Sequence, residues 1–106
     1  TDPELVDFEM DIYWVVTGGA DPIEYLKKYP NRFRLCHVKD RMKNAGDERM
    51  ASCNLGSGII DYPTILKAAK AEGMQYFIME QERYDGTTPM EAARVGANYL
   101  SELQFA

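Results

Sequence analysis

The sequence predicts an α/β fold of three consecutive β-α units, with parallel strands and the helices packed outside them. Three observations predict it. Three short runs are rich in β-branched and aromatic residues, a helix-start signature follows each of them, and turn residues separate the pieces. With 106 residues the chain is one small domain, 1–106, and is too short for two.

The first strand is expected over 8–16, FEMDIYWVV. Asp21-Pro22-Ile23-Glu24 then combines an N-cap, a proline at the first helical position and an acid at the third, which together favour the free amides of a helix start. That helix is expected to run to about Tyr29, where Pro30 stops it. The second strand is expected over 33–40, FRLCHVKD. Residues 41–60 read as a long loop, either functional or a mobile surface excursion. Asp61 caps the second helix, with Pro63 in its first turn, Ile65, Leu66 and Ala69 on its buried face and Gly73 as its stop. The third strand is expected over 74–82, MQYFIMEQE. Thr88-Pro89-Met90-Glu91 opens the last helix, whose predicted apolar stripe is Met90, Ala93, Ala97, Leu100 and Leu103.

Strands that alternate with helices imply right-handed crossovers and a parallel sheet. Three parallel strands alone leave two open edges beside Val, Ile and Trp, so the sheet calls for more strands than the chain supplies. The first residues, Thr1-Asp2-Pro3-Glu4, carry neither an initiator Met nor the marks of a signal peptide, and the chain reads as a piece of something longer.

Composition narrows the partners. Seventeen acids against twelve bases give a net charge of −5, the wrong sign for nucleic acid or an anionic membrane. Lys27, Lys28, Arg32 and Arg34 read as a solvated helix and its following turn. The strongest apolar runs, 13–16 and 76–79, fall far short of the roughly 20 residues needed to cross a bilayer. Cys36 and Cys53 have neither metal-type spacing nor the density of a disulfide scaffold. They read as free thiols, which leaves cytoplasm and periplasm both open.

Side chains alternate across a strand, so Glu9, Asp11 and Tyr13 are expected on one face of the first, Leu35, His37 and Lys39 on one face of the second, and Tyr76, Ile78 and Glu80 on one face of the third. Each strand thereby places one acid-base or hard-metal group, Asp11, His37 or Glu80, toward its C-terminal half. His37 is the only histidine in the chain. In parallel α/β folds the loops at those strand ends share one crevice, where ligands bind. Two carboxylates and an imidazole meeting there suit a divalent ion of the Mn, Mg, Co or Zn type. A lone strand histidine also fits an ordinary buried residue, but Asp11 and Glu80 inside apolar runs need a partner to offset desolvation.

Four segments then carry a resemblance: Phe8-Glu9-Met10-Asp11-Ile12-Tyr13-Trp14-Val15, His37-Val38-Lys39-Asp40, Leu55-Gly56-Ser57-Gly58-Ile59-Ile60-Asp61-Tyr62, and Phe77-Ile78-Met79-Glu80-Gln81-Glu82. In that order they resemble the C-terminal part of the sugar phosphate isomerase/epimerase-like proteins, a group of xylose isomerase-like TIM barrels. The resemblance implies the last three β-α units of an eight-stranded barrel, with the other strands absent. It implies one divalent metal held by Glu, Asp, His and Glu, of which Asp11, His37 and Glu80 are the last three and the first lies upstream of Thr1. It implies proton exchange next to a carbonyl, through an enediolate, with Glu80 as one of two catalytic glutamates. Lys39 is then a candidate catalytic residue reaching a substrate oxygen, and Asp40 a group that orients its neighbours. A sugar or sugar phosphate is the implied small-molecule partner, and the isolated chain is expected to be inactive.

Where the apurinic endonucleases of the same superfamily carry extra zinc-ligating histidines, this chain has Trp14 and Asp47-Glu48-Arg49, which disfavours a multinuclear phosphoesterase. Trp14 and Tyr13 suit the apolar face of a sugar instead. Gly56 and Gly58 fit a turn or, less specifically, a phosphate cradle. An inosose dehydratase-like lyase and a non-catalytic carbohydrate-binding fragment are the rival readings. The unpaired edges and open inner face lead us to expect a homo-oligomer, or association with the missing N-terminal part.

Overall fold

The computed structural model describes residues 1–103. Strands β1 (Phe8–Asp11), β2 (Phe33–Val38) and β5 (Tyr76–Met79) form one parallel sheet in the order β1-β2-β5. Asp11 is in register with His37, and His37 with Ile78. Helices α1 (Ile12–Thr17), α2 (Pro22–Lys28), α3 (Tyr62–Ala71) and α4 (Pro89–Glu102) complete the β-α units. Among the described residues no helix is long and apolar enough to cross a membrane.

The strand expected over 8–16 ends at Asp11. Its β-branched continuation reads as strand by composition, but the Asp11 carboxylate accepts from the Trp14 amide at 3.2 Å and caps a helix there. Tyr13 therefore leaves the face of Glu9 and Asp11 and is buried. The second strand stops at Val38, and Asp40–Arg41 (β3) turns away to pair antiparallel with Ser52–Cys53 (β4). The third strand is shorter than 74–82, and Glu80 follows directly on its end, its amide still bonded to Val38 O at 3.0 Å.

The helix starts agree with the sequence reading: Asp21, Asp61 and Thr88 each cap a helix through a side-chain oxygen, with proline in the first turn. Ile65, Leu66 and Ala69 are buried as expected. On α4 the predicted stripe holds at Leu100 and Leu103, which pack against the core, and is displaced earlier in the helix. Met90 is 81% exposed and Ala93 and Ala97 face outward, whereas Ala92 and Gly96 are buried. The cause is the close approach of α4 to β5: a Cβ on Gly96 would lie 2.7 Å from Met79 Cγ, so the smallest residues occupy the contact. Arg34 belongs to β2 and pairs with Asp7 at 3.4 Å rather than lying in a solvated turn.

The core lies between the sheet and the helices, where Met10, Cys36 and Val38 meet Leu26, Ile65, Leu66 and Ala69. Both cysteines are free, and burial pushes the Cys36 thiol up to about 12. The opposite face of the sheet, with Glu9, Leu35, His37, Tyr76 and Ile78, has no layer over it among the described residues. Tyr76 is 58% and Ile78 45% exposed.

The segment 41–60 is braced rather than a loose excursion. Asp40, 1% exposed, accepts from the amides of Arg41 (2.9 Å), Gly56 (3.0 Å), Gly58 (3.0 Å) and Ile60 (3.2 Å). A Cβ on Gly58 would sit 2.4 Å from that carboxylate and 2.2 Å from Arg41 O. The two glycines thus cradle the chain's own carboxylate, not a phosphate. Arg41 in turn holds the carbonyls of Gly46 (3.1 Å) and Glu48 (2.6 Å).

Candidate metal centre

Asp11, His37 and Glu80 stand at the C-terminal ends of three neighbouring parallel strands because each occupies the inward phase of its strand. One ligand atom from each lies within 4.8 Å of the other two, and no other such group of His, Cys, Asp or Glu occurs among the described residues. His37 Nδ1 is 3.2 Å from Asp11 Oδ2 and 3.2 Å from Glu80 Oε2. Asp11 divides its oxygens, Oδ1 capping α1 and Oδ2 facing the centre, so the helix start fixes the rotamer of the prospective ligand.

Lys39 lies beneath this group with no exposed surface. Its ammonium donates to Glu80 Oε1 at 2.6 Å and Glu82 Oε1 at 2.7 Å, and stands 3.6 Å from Asp11 Oδ2. Burial alone would lower its pKa, but the hydrogen bonds to Glu80 and Glu82 and the charge of Asp11 outweigh it, and the net shift is upward. The Lys39 hydrogen bond, against some desolvation, holds the Glu80 carboxyl below its ordinary value. Glu80 is thereby kept ionised, as a ligand or a proton acceptor must be. Tyr62, fully buried, brackets the Lys39 backbone: its hydroxyl accepts from Lys39 N at 2.8 Å and donates to Lys39 O at 2.6 Å.

Tyr13 is 1% exposed. Its hydroxyl accepts from Ala51 N (2.7 Å) and Arg41 Nη1 (3.2 Å) and donates to Arg49 O, so its ring and its polar tip are both spent inside the chain. Trp14 is half-buried, edge-on to Tyr13, with the Arg49 guanidinium 5.5 Å from its ring centroid. Trp14 also lines, with Glu9, Asp11 and Tyr25, a cavity of about 400 Å³ along the free edge of β1.

Three participants escaped the sequence reading. Glu9 and Glu82 carried a usable signal, since each sits two residues from a predicted ligand and shares its strand phase. Tyr62 carried none, because only the tertiary fold brings it to Lys39.

A parallel β-α array with two carboxylates and an imidazole at its strand ends defines part of a TIM barrel with a strand-end site, the architecture of the xylose isomerase-like sugar phosphate isomerases and epimerases. The chain is similar to crystal structures of sugar phosphate isomerase/epimerase from Parabacteroides distasonis. One superposes with a TM-score of 0.80 at 38% identity and another with 0.79 at 36%, each over 99% of this chain and 34% of the other. Inosose dehydratases from Geobacillus thermodenitrificans and Clostridium botulinum are each 30% identical over 117 residues, covering 96% of this chain and 39% of theirs. The chain therefore spans about a third of those solved structures and two-fifths of those curated relatives. No family model matches it.

Proposed function

We propose that this chain supplies three of the four ligands of a mononuclear divalent-metal site in a sugar isomerase or epimerase that moves a proton at the carbon next to a carbonyl. The observation that carries the proposal is the convergence of Asp11, His37 and Glu80 at adjacent strand ends, with Lys39 buried among their carboxylates. The donor set fits Mn, Mg, Co or Zn, being one imidazole nitrogen and two carboxylates whose ligand atoms lie within bridging reach of one point. Three carboxyl groups, Asp11, Glu80 and Glu82, face a single ammonium and a fourth, Glu9, faces His37, and this excess of acid favours a cation.

A divalent ion at such a site supplies electrostatic stabilisation to negative charge developing on a substrate oxygen. Glu80 takes or returns the proton at the neighbouring carbon. Lys39 acts in the reaction by holding Glu80 ionised and aimed, and Trp14 offers the aromatic surface against which an apolar sugar face can rest. The second acid-base glutamate and the fourth ligand come from a strand outside this chain, so the chain alone is expected to be inactive. We further propose that its open sheet edges and inner face are covered by self-association or by the rest of a barrel.

The similarity to inosose dehydratases supports a second reading, loss of water from the same enediolate. A protein carrying these units in a closed barrel, incubated with keto-sugars and keto-inositols, separates the two by epimer formation against loss of water. For the site itself, calorimetric titration of the chain with Mn²⁺ is expected to show weak binding that His37→Ala abolishes. Identical titrations of the two proteins would refute the metal reading.

A further inference from the structure

The two ring nitrogens of His37 are engaged by different acids. Nδ1 faces Asp11 Oδ2 and Glu80 Oε2, each at 3.2 Å, while Nε2 on the far edge of the ring lies 3.0 Å from Glu9 Oε1. Glu9 reaches that edge because β1 pairs in register with β2: Asp11 lies opposite His37 and Glu9 opposite Leu35, two residues earlier on the same inward face. Glu9 is not one of the three residues whose ligand atoms cluster within 4.8 Å, so its oxygen does not add to the cation site.

We propose that Glu9 is a positioning residue that holds the Nε2 edge of His37 and so presents the Nδ1 lone pair to Asp11 and Glu80. The proposal rests on the metal reading above and deepens it. A neutral imidazole carries one N–H, and only the bare nitrogen can bind a cation. An acceptor at Nε2 favours the proton there, fixes the plane of the ring and makes Nδ1 the more basic donor. Neither Asp11 nor Glu80 can do this, because both lie on the Nδ1 side. Removal of such an outer carboxylate typically weakens metal binding by about 10–100-fold.

His37 is the only histidine, so a chain labelled with ¹⁵N-histidine gives one pair of ring nitrogens whose shifts report the tautomer directly. At mildly alkaline pH the metal-free chain is expected to share its ring proton between Nδ1, which faces Asp11 and Glu80, and Nε2, which faces Glu9, and Glu9→Ala to shift that balance toward Nδ1–H. In a Zn²⁺ titration followed on the same signals, Glu9→Ala is expected to bind at least about tenfold more weakly. Glu9→Gln, which retains an acceptor oxygen, is expected to keep that balance and lose less affinity.

Glu9 is 40% exposed on the uncovered face, so neither change opens the core. Should Glu9→Ala nonetheless lose its cooperative melt, Glu9→Leu, which keeps an apolar stem and removes the acceptor, decides, unchanged affinity and tautomer in it counting against the proposal. An unaltered tautomer with affinity within twofold of the parent chain in Glu9→Ala overturns the role of Glu9 and leaves the metal site standing. Absence of Zn²⁺ binding in the parent chain, indistinguishable from His37→Ala, removes the metal reading and this proposal together.

Discussion

The two faces of the sheet differ in kind. Toward the helices, Met10, Cys36 and Val38 are at most 3% exposed and every neighbour they need is supplied by this chain. On the other side, His37, Tyr76, Ile78 and four carboxyl groups meet no covering layer among the described residues, and ion pairs with Lys39 and His37 hold the carboxyl groups together. The helix-facing side is finished locally. On the function proposed above, the inner face is where a further strand set and a cation would be added.

The difference can be broken most severely at the brace beneath the site. Asp40→Ala leaves four amides without their carboxylate, and at about 1–3 kcal/mol for each buried donor left unsatisfied, reduced for the partly solvated ones, a loss of about 4 kcal/mol is expected. Against a total of about 5–15 kcal/mol for a small domain this is enough to abolish a cooperative thermal melt followed by circular dichroism.

Lys39→Met tests the inner face. It removes the cation shared by Asp11, Glu80 and Glu82, and the expected loss is about 2–3 kcal/mol, less than the roughly 3–5 for a fully buried pair because the carboxylates keep some solvent. Urea unfolding measures it.

The pH profile sharpens the same point. Glu80 is held below its ordinary 4.5 in the folded chain, so its stabilising contribution is present above 4.5 and is lost as pH falls through the lower folded value. Lys39 is raised above 10.5, so its contribution is complete below 10.5 and is lost as pH rises through the higher folded value. Melting temperatures are expected to be flat between those limits and to fall outside them, with shallower flanks in Lys39→Met.

The smallest effect is expected where the sheet is uncovered. Ile78→Ser and Tyr76→Ser change side chains about half exposed, and should alter unfolding free energy by no more than about 0.5 kcal/mol while weakening any self-association seen by sedimentation velocity. A large stability loss in the monomer would mean that this chain covers its own inner face.

What the sequence made legible was whatever a short local rule controls. Helix starts at Asp21, Asp61 and Thr88 follow from capping chemistry within four residues, and the inward phase of Asp11, His37 and Glu80 follows from strand alternation. Two local rules competed at 12–16: β-branched composition spoke for strand and the Asp11 cap for helix, and the cap prevailed, carrying Tyr13 into the core. The α4 stripe was misplaced before Leu100 because hydrophobicity favours Met90 and Ala93, whereas the distance of closest approach to Met79 demands Gly96. Burial of Lys39 and the cradle around Asp40 depend on contacts 16–43 residues apart in sequence, which no window of periodicity contains.

The brace at Asp40 bears on how the excursion tolerates insertion. Both ends of the excursion are anchored, one by Asp40 and the Met42–Ala51 backbone bond of 2.8 Å, the other by Gly56, Gly58 and Ile60. Its tip is tied as well, Arg41 holding the Gly46 and Glu48 carbonyls and Tyr13 the Arg49 carbonyl, with Arg49 laid over Trp14. Doubling a closed flexible loop costs only about 0.6 kcal/mol in chain entropy. An insertion between those ties would therefore cost little in chain entropy and leave Asp11, His37 and Glu80 where the strands hold them.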